Sequence, residues 1–316
     1  MLTYTLFIAG FYFLIKGASY LVDGASSIAK KFKVSNLMIG LTIVAFGTSA
    51  PELIVNLFAS FRGSSDLAIT NIVGSNIANI LLILGISAII FPLAVKKGTV
   101  IKEIPLSFLA VLVLWFLVND MMIDHLSFSA LTRIDGAILI AFFIIFIYYT
   151  FGLSKAEGDG EDIKEYKTWQ SIIMVIAGVV ALTLGGQWIV DGATKIALKF
   201  GMSESLIGLT IVAVGTSLPE LAASAVAAYK HKADIAIGNV VGSNIFNIFW
   251  ILGISALVRP LVFSPILNID IYFMALVTLI LFLFMFIGKK GILQKWQGIS
   301  MISIYIIYIV YLINRG

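Results

Sequence analysis

The sequence predicts an all-α integral membrane protein, ten transmembrane helices arranged as two inverted five-helix repeats. Three observations carry that prediction. Of the 316 residues, 60% are hydrophobic and only 12% charged, a balance foreign to soluble domains and typical of chains that cross a bilayer several times. Apolar runs of roughly 18 to 25 residues, each enough to traverse a hydrocarbon core of about 30 Å, alternate with short polar loops. One segment also occurs twice, as GLTIVAFGTSAPEL from Gly40 to Leu53 and as GLTIVAVGTSLPEL from Gly208 to Leu221.

The first run, at approximately 2–22, has neither the basic start nor the small-residue cleavage site of a signal peptide, so it is read as a spanning helix. The second, 37–61, carries the first copy of the duplicated segment, and the third, 68–91, holds ITNIVGSNIANI. Runs at 104–119 and 134–152 complete a first five-helix repeat over residues 1–153. Residues 154–169 lie in the most polar stretch and read as a solvated cytoplasmic linker. Its acids Asp159, Glu161 and Asp162 do not follow the D-x-[DN]-x-[DN]-G order with which a calcium loop wraps its ion. Spans at 170–194, 204–228, 235–258, 267–287 and 297–313 then make a second repeat over 170–316.

The duplication extends well beyond one motif. The offset that maps Gly40 onto Gly208 also maps Asp23-Gly24-Ala25 onto Asp191-Gly192-Ala193, Gly74-Ser75-Asn76-Ile77 onto Gly242-Ser243-Asn244-Ile245, and Pro92 onto Pro260. Ungapped correspondence over roughly 70 residues marks an internal repeat. Five spans per copy is an odd number, so the second copy enters the membrane from the opposite side. Repeats of this kind build secondary transporters whose site lies near the midplane, where the halves meet. With the N-terminus outside, fourteen of the 21 Lys and Arg fall in inside loops and six outside, so the positive-inside rule places both termini outside the cell membrane.

The duplicated segment carries the chemistry. A carboxylate in hydrocarbon costs roughly 3 kcal/mol or more unless something offsets it, and Glu52 and Glu220 are two such acids in matched positions. Their pairing points to a bound cation. Pro51 lacks an N–H, so the carbonyl of Gly47 loses its helical partner and the helix bends there; Pro219 does the same to Gly215. Oxygens freed in lipid need a donor or a cation, and Ala45 and Ala213, just before the kinks, are candidate carbonyl ligands. Thr48 and Ser49 precede Glu52 by four and three residues and share its helical face, a pattern repeated by Thr216, Ser217 and Glu220.

The third span supplies a facing wall with Ser75 and Asn79, and its second-half counterpart does so with Ser243 and Asn247. Two carboxylates, two amide oxygens and several hydroxyl or carbonyl oxygens reach the 6 to 8 oxygens that calcium takes at about 2.3–2.6 Å. Softer metals would prefer imidazole or thiolate. The chain has no cysteine, and its histidines, His125 and His231, fall in loops. Ser, Thr and Asn in spanning helices also serve packing, a reading that stands beside the ligand role for Ser49, Ser217, Asn76 and Asn244. Asn71 and Asn239 are placed near span entrances as structural residues, Asp23 and Asp191 as helix-end caps, with gate-lining acids as the second reading, and Lys16 as a snorkelling residue.

The formal charge of +4 is ordinary for loops of a membrane protein and requires no nucleic-acid partner. No P-loop, H-E-x-x-H helix or activated nucleophile is present in the sequence, so an enzyme and an ATP-driven pump are both disfavoured. A proton-driven calcium or cation antiporter of the same fold is the alternative kept open, and a passive channel is a weaker one.

Paired GTSxPE and GSN-I-x-N segments on a five-plus-five repeat resemble the cation/calcium exchanger superfamily, and within it the sodium/calcium exchangers of prokaryotic type. The resemblance covers nearly the whole chain. It implies ten helices, with the second, third, seventh and eighth holding a row of ion sites and the slanted first and sixth sliding across them. It implies alternating-access antiport in which sodium entry drives calcium out. The implied ligands are Ala45, Thr48, Ser49, Glu52, Ser75, Asn79, Ala213, Thr216, Ser217, Glu220, Ser243 and Asn247, with calcium and one class of sodium sharing the two glutamates. Calcium and sodium are the transported ions, the bilayer is the surroundings, and neither a cofactor nor an obligatory protein partner is implied. Several exchangers of this type, and the branch that co-transports potassium, carry aspartate in place of Asn247; the asparagine here argues against potassium coupling.

Overall fold

A computed structural model describes residues 2–123, 125, 127–152, 164–201 and 213–315. Helices α1 (Leu2–Phe32), α2 (Asn36–Thr48), α3 (Ala50–Arg62), α4 (Ser65–Ile90), α5 (Thr99–Leu117) and α6 (Arg133–Gly152) form the first part of the chain. Then come α7 (Thr168–Lys199), α8 (Leu218–Tyr229), α9 (Ala233–Val258), α10 (Pro265–Phe284) and α11 (Lys295–Arg315). Among the described residues eight helices are long and apolar enough to cross a membrane, and the bent pair α2–α3 makes a ninth. The span expected at 204–228 is described from Ala213 on, as a short turn at Ala213–Gly215 followed by α8. Its earlier part, and most of the linker, lie outside the described residues. The protein is an integral membrane protein.

Burial separates the helices into two classes. The most apolar stretches of α4 and α9 are 78% and 83% buried, against 28–39% for the other long helices, so α4 and α9 form the centre of the bundle. The surrounding helices turn side chains such as Ile8, Ile144, Ile173 and Ile307 outward, where hydrocarbon rather than water is the solvent.

The sheath contains one unusually close pair. α1 and α7 cross antiparallel along a seam of small residues: Gly10 against Gly185, Gly17 against Gly178, Gly24 against Ser171. A Cβ on Gly17 would sit 2.9 Å from the Gly178 carbonyl oxygen, and one on Gly178 would sit 2.7 Å from the Leu21 nitrogen. In lipid, where apolar burial does not favour one helix over another, backbone approach of this kind supplies the packing energy.

Contacts sort the loops into two ends. At one end β1 (Leu93–Ala94) pairs antiparallel with β4 (Ile292–Leu293), Lys96 bridges to Asp234 at 2.8 Å, Lys30 bridges to Glu165 at 3.0 Å, and the Tyr166 N–H donates to Ser27. At the other end β2 (Ser129–Leu131) pairs antiparallel with β3 (Leu261–Phe263), and the Val262 N–H donates to Ser65. Asn119 and Asn268 also exchange hydrogen bonds, and Arg315 grips Asp270. Helix α4 runs from Ser65 at the second end to Ile90, just short of Leu93 at the first.

Both helices of the seam outrun their predicted spans, α1 to Phe32 and α7 to Lys199. The hydropathy signal stops where Asp23, Ser26 and Ser27 begin. The helix does not, because these polar groups find partners: Ser26 donates back to the Val22 carbonyl, and Ser27 meets Ser171 at 2.9 Å.

Candidate cation site

Glu52 and Glu220 occupy equivalent places in two broken helices. Ser49 (φ −82°, ψ 6°) and Ser217 (φ −86°, ψ 5°) leave the helical region in nearly identical fashion, and the chain resumes as α3 and α8. The break between α2 and α3 bends the axis by 48°. It falls at Ser49, two residues beyond Gly47, where the bend is expected from proline alone, because Pro51 and Pro219 sit in the first turn of the new helix, where a missing N–H costs nothing. Each glutamate therefore lies in a first turn, where the helix dipole favours negative charge. The Ala45 carbonyl accepts from the Ser49 N–H at 3.0 Å and has Thr48 Oγ1 at 3.3 Å. Ala213 begins the matching turn.

The bend also redistributes the side chains. Ser49 does not serve the glutamate of its own half; its hydroxyl donates to Glu220 Oε1 at 2.9 Å. Thr216 and Ser217 in turn face Glu52, though neither hydroxyl comes within hydrogen-bonding geometry of its carboxylate. The single helical face expected for Thr48, Ser49 and Glu52 is thus interrupted, and hydroxyls of each half face the acid of the other. The two carboxylates are close enough to feel each other's charge, and both are 1% exposed.

The wall behind them is an asparagine bracket. Asn76 and Asn244 each donate to the other's backbone carbonyl, at 3.2 and 3.4 Å. Asn79 Nδ2 donates to Asn244 Oδ1 and Asn247 Nδ2 to Asn76 Oδ1, both at 2.9 Å. These bonds consume the amide nitrogens of Asn79 and Asn247 and leave their carbonyl oxygens free. Asn79 opens a π-helical stretch (Asn79–Leu84) and Asn247 lies in its counterpart (Phe246–Leu252), wide turns that recur at functional sites. Ser75 accepts from the Ser217 hydroxyl at 3.4 Å, and Ser243, its counterpart on α9, is fully buried.

The buried oxygens left without a hydrogen-bond donor define the chemistry. They include both oxygens of Glu52, Oε2 of Glu220, Oδ1 of Asn79 and of Asn247, Oγ of Ser243 and Oγ1 of Thr216. Orphaned buried acceptors cost about 1–3 kcal/mol each, more when charged. Among the described residues no Lys, Arg or His forms an ion pair with either glutamate. Hard oxygens in this number, with a formal charge of minus two and no resident counter-charge, suit a calcium ion or monovalent cations.

Sequence reading underrated three residues. Asn239, placed at a span entrance, is fully buried at the site: it accepts from Thr48 at 3.0 Å and donates to Ser224 and to the Glu220 carbonyl. Asn76 and Asn244, read as equally suited to packing, orient the amides of Asn79 and Asn247. The signal available was the repeat itself, since Asn71 matches Asn239 and Asn76 matches Asn244. Asn239, Asn76 and Asn244 are thus buried amides at positions where both halves of the chain carry asparagine.

Residues 2–152 and 170–314 match the protein family described as sodium/calcium exchanger protein. The sodium/calcium exchanger MaX1 of Methanosarcina acetivorans is 32% identical, with 96% of each chain covered, and the inner membrane protein YrbG of Escherichia coli is 35% identical over 89% of this chain and 88% of its own. The solved structure of the sodium-calcium exchanger NCX_Mj, soaked with sodium and calcium, superposes with a TM-score of 0.83 at 34% identity, covering 98% of both chains. On these grounds this chain belongs to the sodium/calcium exchanger protein family.

Proposed function

We propose that the protein is a secondary antiporter that exchanges sodium for calcium across the cell membrane by alternating access, normally extruding calcium. The observation that carries this reading is the set of orphaned oxygens around two buried carboxylates that no cationic side chain neutralises among the described residues. Ala45, Thr48, Ser49, Glu52, Ser75, Asn79, Ala213, Thr216, Ser217, Glu220, Ser243 and Asn247 are the proposed ligands. Calcium bridges Glu52 and Glu220, and sodium ions spread over the same carboxylates and the flanking hydroxyl and carbonyl oxygens. Residues 1–153 and 170–316 are the two five-helix repeats, inverted with respect to each other and joined by the linker 154–169. The reciprocal bonds of Asn76 and Asn244, and the placing of Ser65 and Ala233 at opposite ends of the bundle, support that arrangement. Both termini lie outside, in keeping with the distribution of lysine and arginine.

Coupling follows from electrostatics. The empty site holds two uncompensated buried charges, so passage through an occluded state is costly unless calcium or sodium ions accompany it. Two negative charges balance one divalent ion or two monovalent ones, so the ions compete for the carriage and each drives the other. The test is radiolabelled calcium uptake by purified protein in liposomes, with sodium, potassium or protons as the only outward gradient. Uptake with sodium alone is expected; equal uptake with protons alone would replace sodium coupling by proton coupling.

A further inference from the structure

The two ends of the seam helices are not equivalent. At the end of α1, Asp23 accepts from Lys230 at 2.7 Å, and Lys232 lies 3.5 Å from its other oxygen. Lys230 also donates to the Ser19 hydroxyl at 2.6 Å, and Lys232 to Ser26 at 2.9 Å. These bonds tie α1 to the loop that follows α8, hence to the helix bearing Glu220. The offset of 168 residues that separates Asn76 from Asn244 turns Asp23 into Asp191 on α7, Ser19 into Gln187, and Lys230 into Arg62 at the end of α3, the helix bearing Glu52. The second set keeps the charges, carboxylate on the seam helix and cation on the site helix. Among the described residues, however, neither Arg62 nor Asp191 forms an ion pair, and both are exposed.

Space follows the same asymmetry. A cavity of about 290 Å³ opens between α7, α3 and α8, bounded by Gln187, Val190, Val55, Pro51 and Thr216. It reaches Thr216, one of the hydroxyls with an orphaned oxygen. At the counterpart positions on the α1 side, Ala18, Val22 and Ala223 are fully buried.

From these facts, and on the alternating-access reading above, we propose that Asp23 with Lys230 and Lys232, and Asp191 with Arg62, are alternative latches. Each holds one seam helix over the site from its own end, and only one is closed at a time. Because α1 and α7 meet backbone to backbone at Gly10, Gly17 and Gly178, they shift as one body. Closing the Arg62 latch therefore draws Asp23 away from Lys230. The structure is the form closed at the Lys230 end and open to the cavity at Gln187.

The chain contains no cysteine, which allows a direct test. Val22 and Val190 are counterparts, one buried on the closed side and one lining the cavity. Val22→Cys and Val190→Cys proteins are reconstituted and labelled with a membrane-impermeant thiol reagent, with and without sodium and calcium. Lys230→Gln should raise the labelling rate at position 22 about fivefold, the upper range for a partly exposed ion pair, and lower it at position 190. Lys230→Arg should retain the original rates, and Arg62→Gln should shift both in the reverse direction. Ion-responsive labelling that Lys230→Gln leaves unmoved, or a shift in the same direction from both variants, overturns the latch alone. Labelling at both positions that no ion alters overturns alternating access as well.

Discussion

Replacing Glu52 by glutamine isolates charge from shape. The amide has nearly the same volume, and neither carboxylate oxygen of Glu52 accepts a hydrogen bond from the protein, so the substitution breaks no existing bond. It removes one of the two charges that face the proposed ion. Removing one partner from a buried pair costs about 3–5 kcal/mol, which is roughly two to three and a half decades in calcium affinity. The same change relieves the empty protein, because Glu52 and Glu220 repel each other when no cation separates them. Two effects of opposite sign are therefore expected in one thermal-unfolding series in detergent. At calcium a hundred times its Kd the parent gains about 2.7 kcal/mol, or roughly 5–10 °C in Tm. Glu52→Gln should begin from a higher ion-free Tm and gain about 1 °C or less at the same calcium concentration. Its calcium uptake in liposomes should be abolished. A parental calcium shift in the variant, or a lower ion-free Tm with uptake retained, would refute the assignment of Glu52.

Protons should compete with the transported ions, since each one bound to Glu52 or Glu220 removes a charge the cation needs. Exchange should decline steadily from about pH 8 to about pH 5, and a flat profile across that range would contradict the coupling. Asn244→Ala deletes the acceptor for Asn79 Nδ2 and a donor to the Asn76 carbonyl; stability should fall by about 1–3 kcal/mol, with weaker calcium binding by calorimetry. Gly17→Leu forces side-chain atoms into the Gly178 backbone and should separate α1 from α7, giving folded protein of lower Tm without exchange activity. Ser243→Ala removes one orphaned hydroxyl and should reduce sodium dependence more than calcium affinity, as read from uptake against a sodium series.

Much of this fold was legible in the chain, because in lipid the hydrocarbon thickness dictates helix length and backbone bonding forbids most alternatives. The described helices begin and end within a few residues of the apolar runs, except where polar residues found partners on another element, as Asp23 did with Lys230 in the loop after α8. The two acids were equally visible, since an unpaired carboxylate in an apolar stretch stands out and its repetition removes coincidence. Two things were not visible. Local spacing assigns Ser49 to its neighbour Glu52, whereas the 48° bend hands it to Glu220, a contact between residues far apart in sequence. The glycine seam was written in the sequence as glycines seven apart at Gly10, Gly17 and Gly24, but hydropathy gives glycine no weight and does not reveal which helix it meets.

The most direct measurement is a crystal of the purified protein soaked in calcium and phased for anomalous scattering. One calcium peak should lie between Glu52 and Glu220, within about 2.3–2.6 Å of oxygens from both side chains, and should disappear on transfer to high sodium. Calcium bound elsewhere, or glutamates that point apart with nothing between them, would contradict the shared site on which exchange depends.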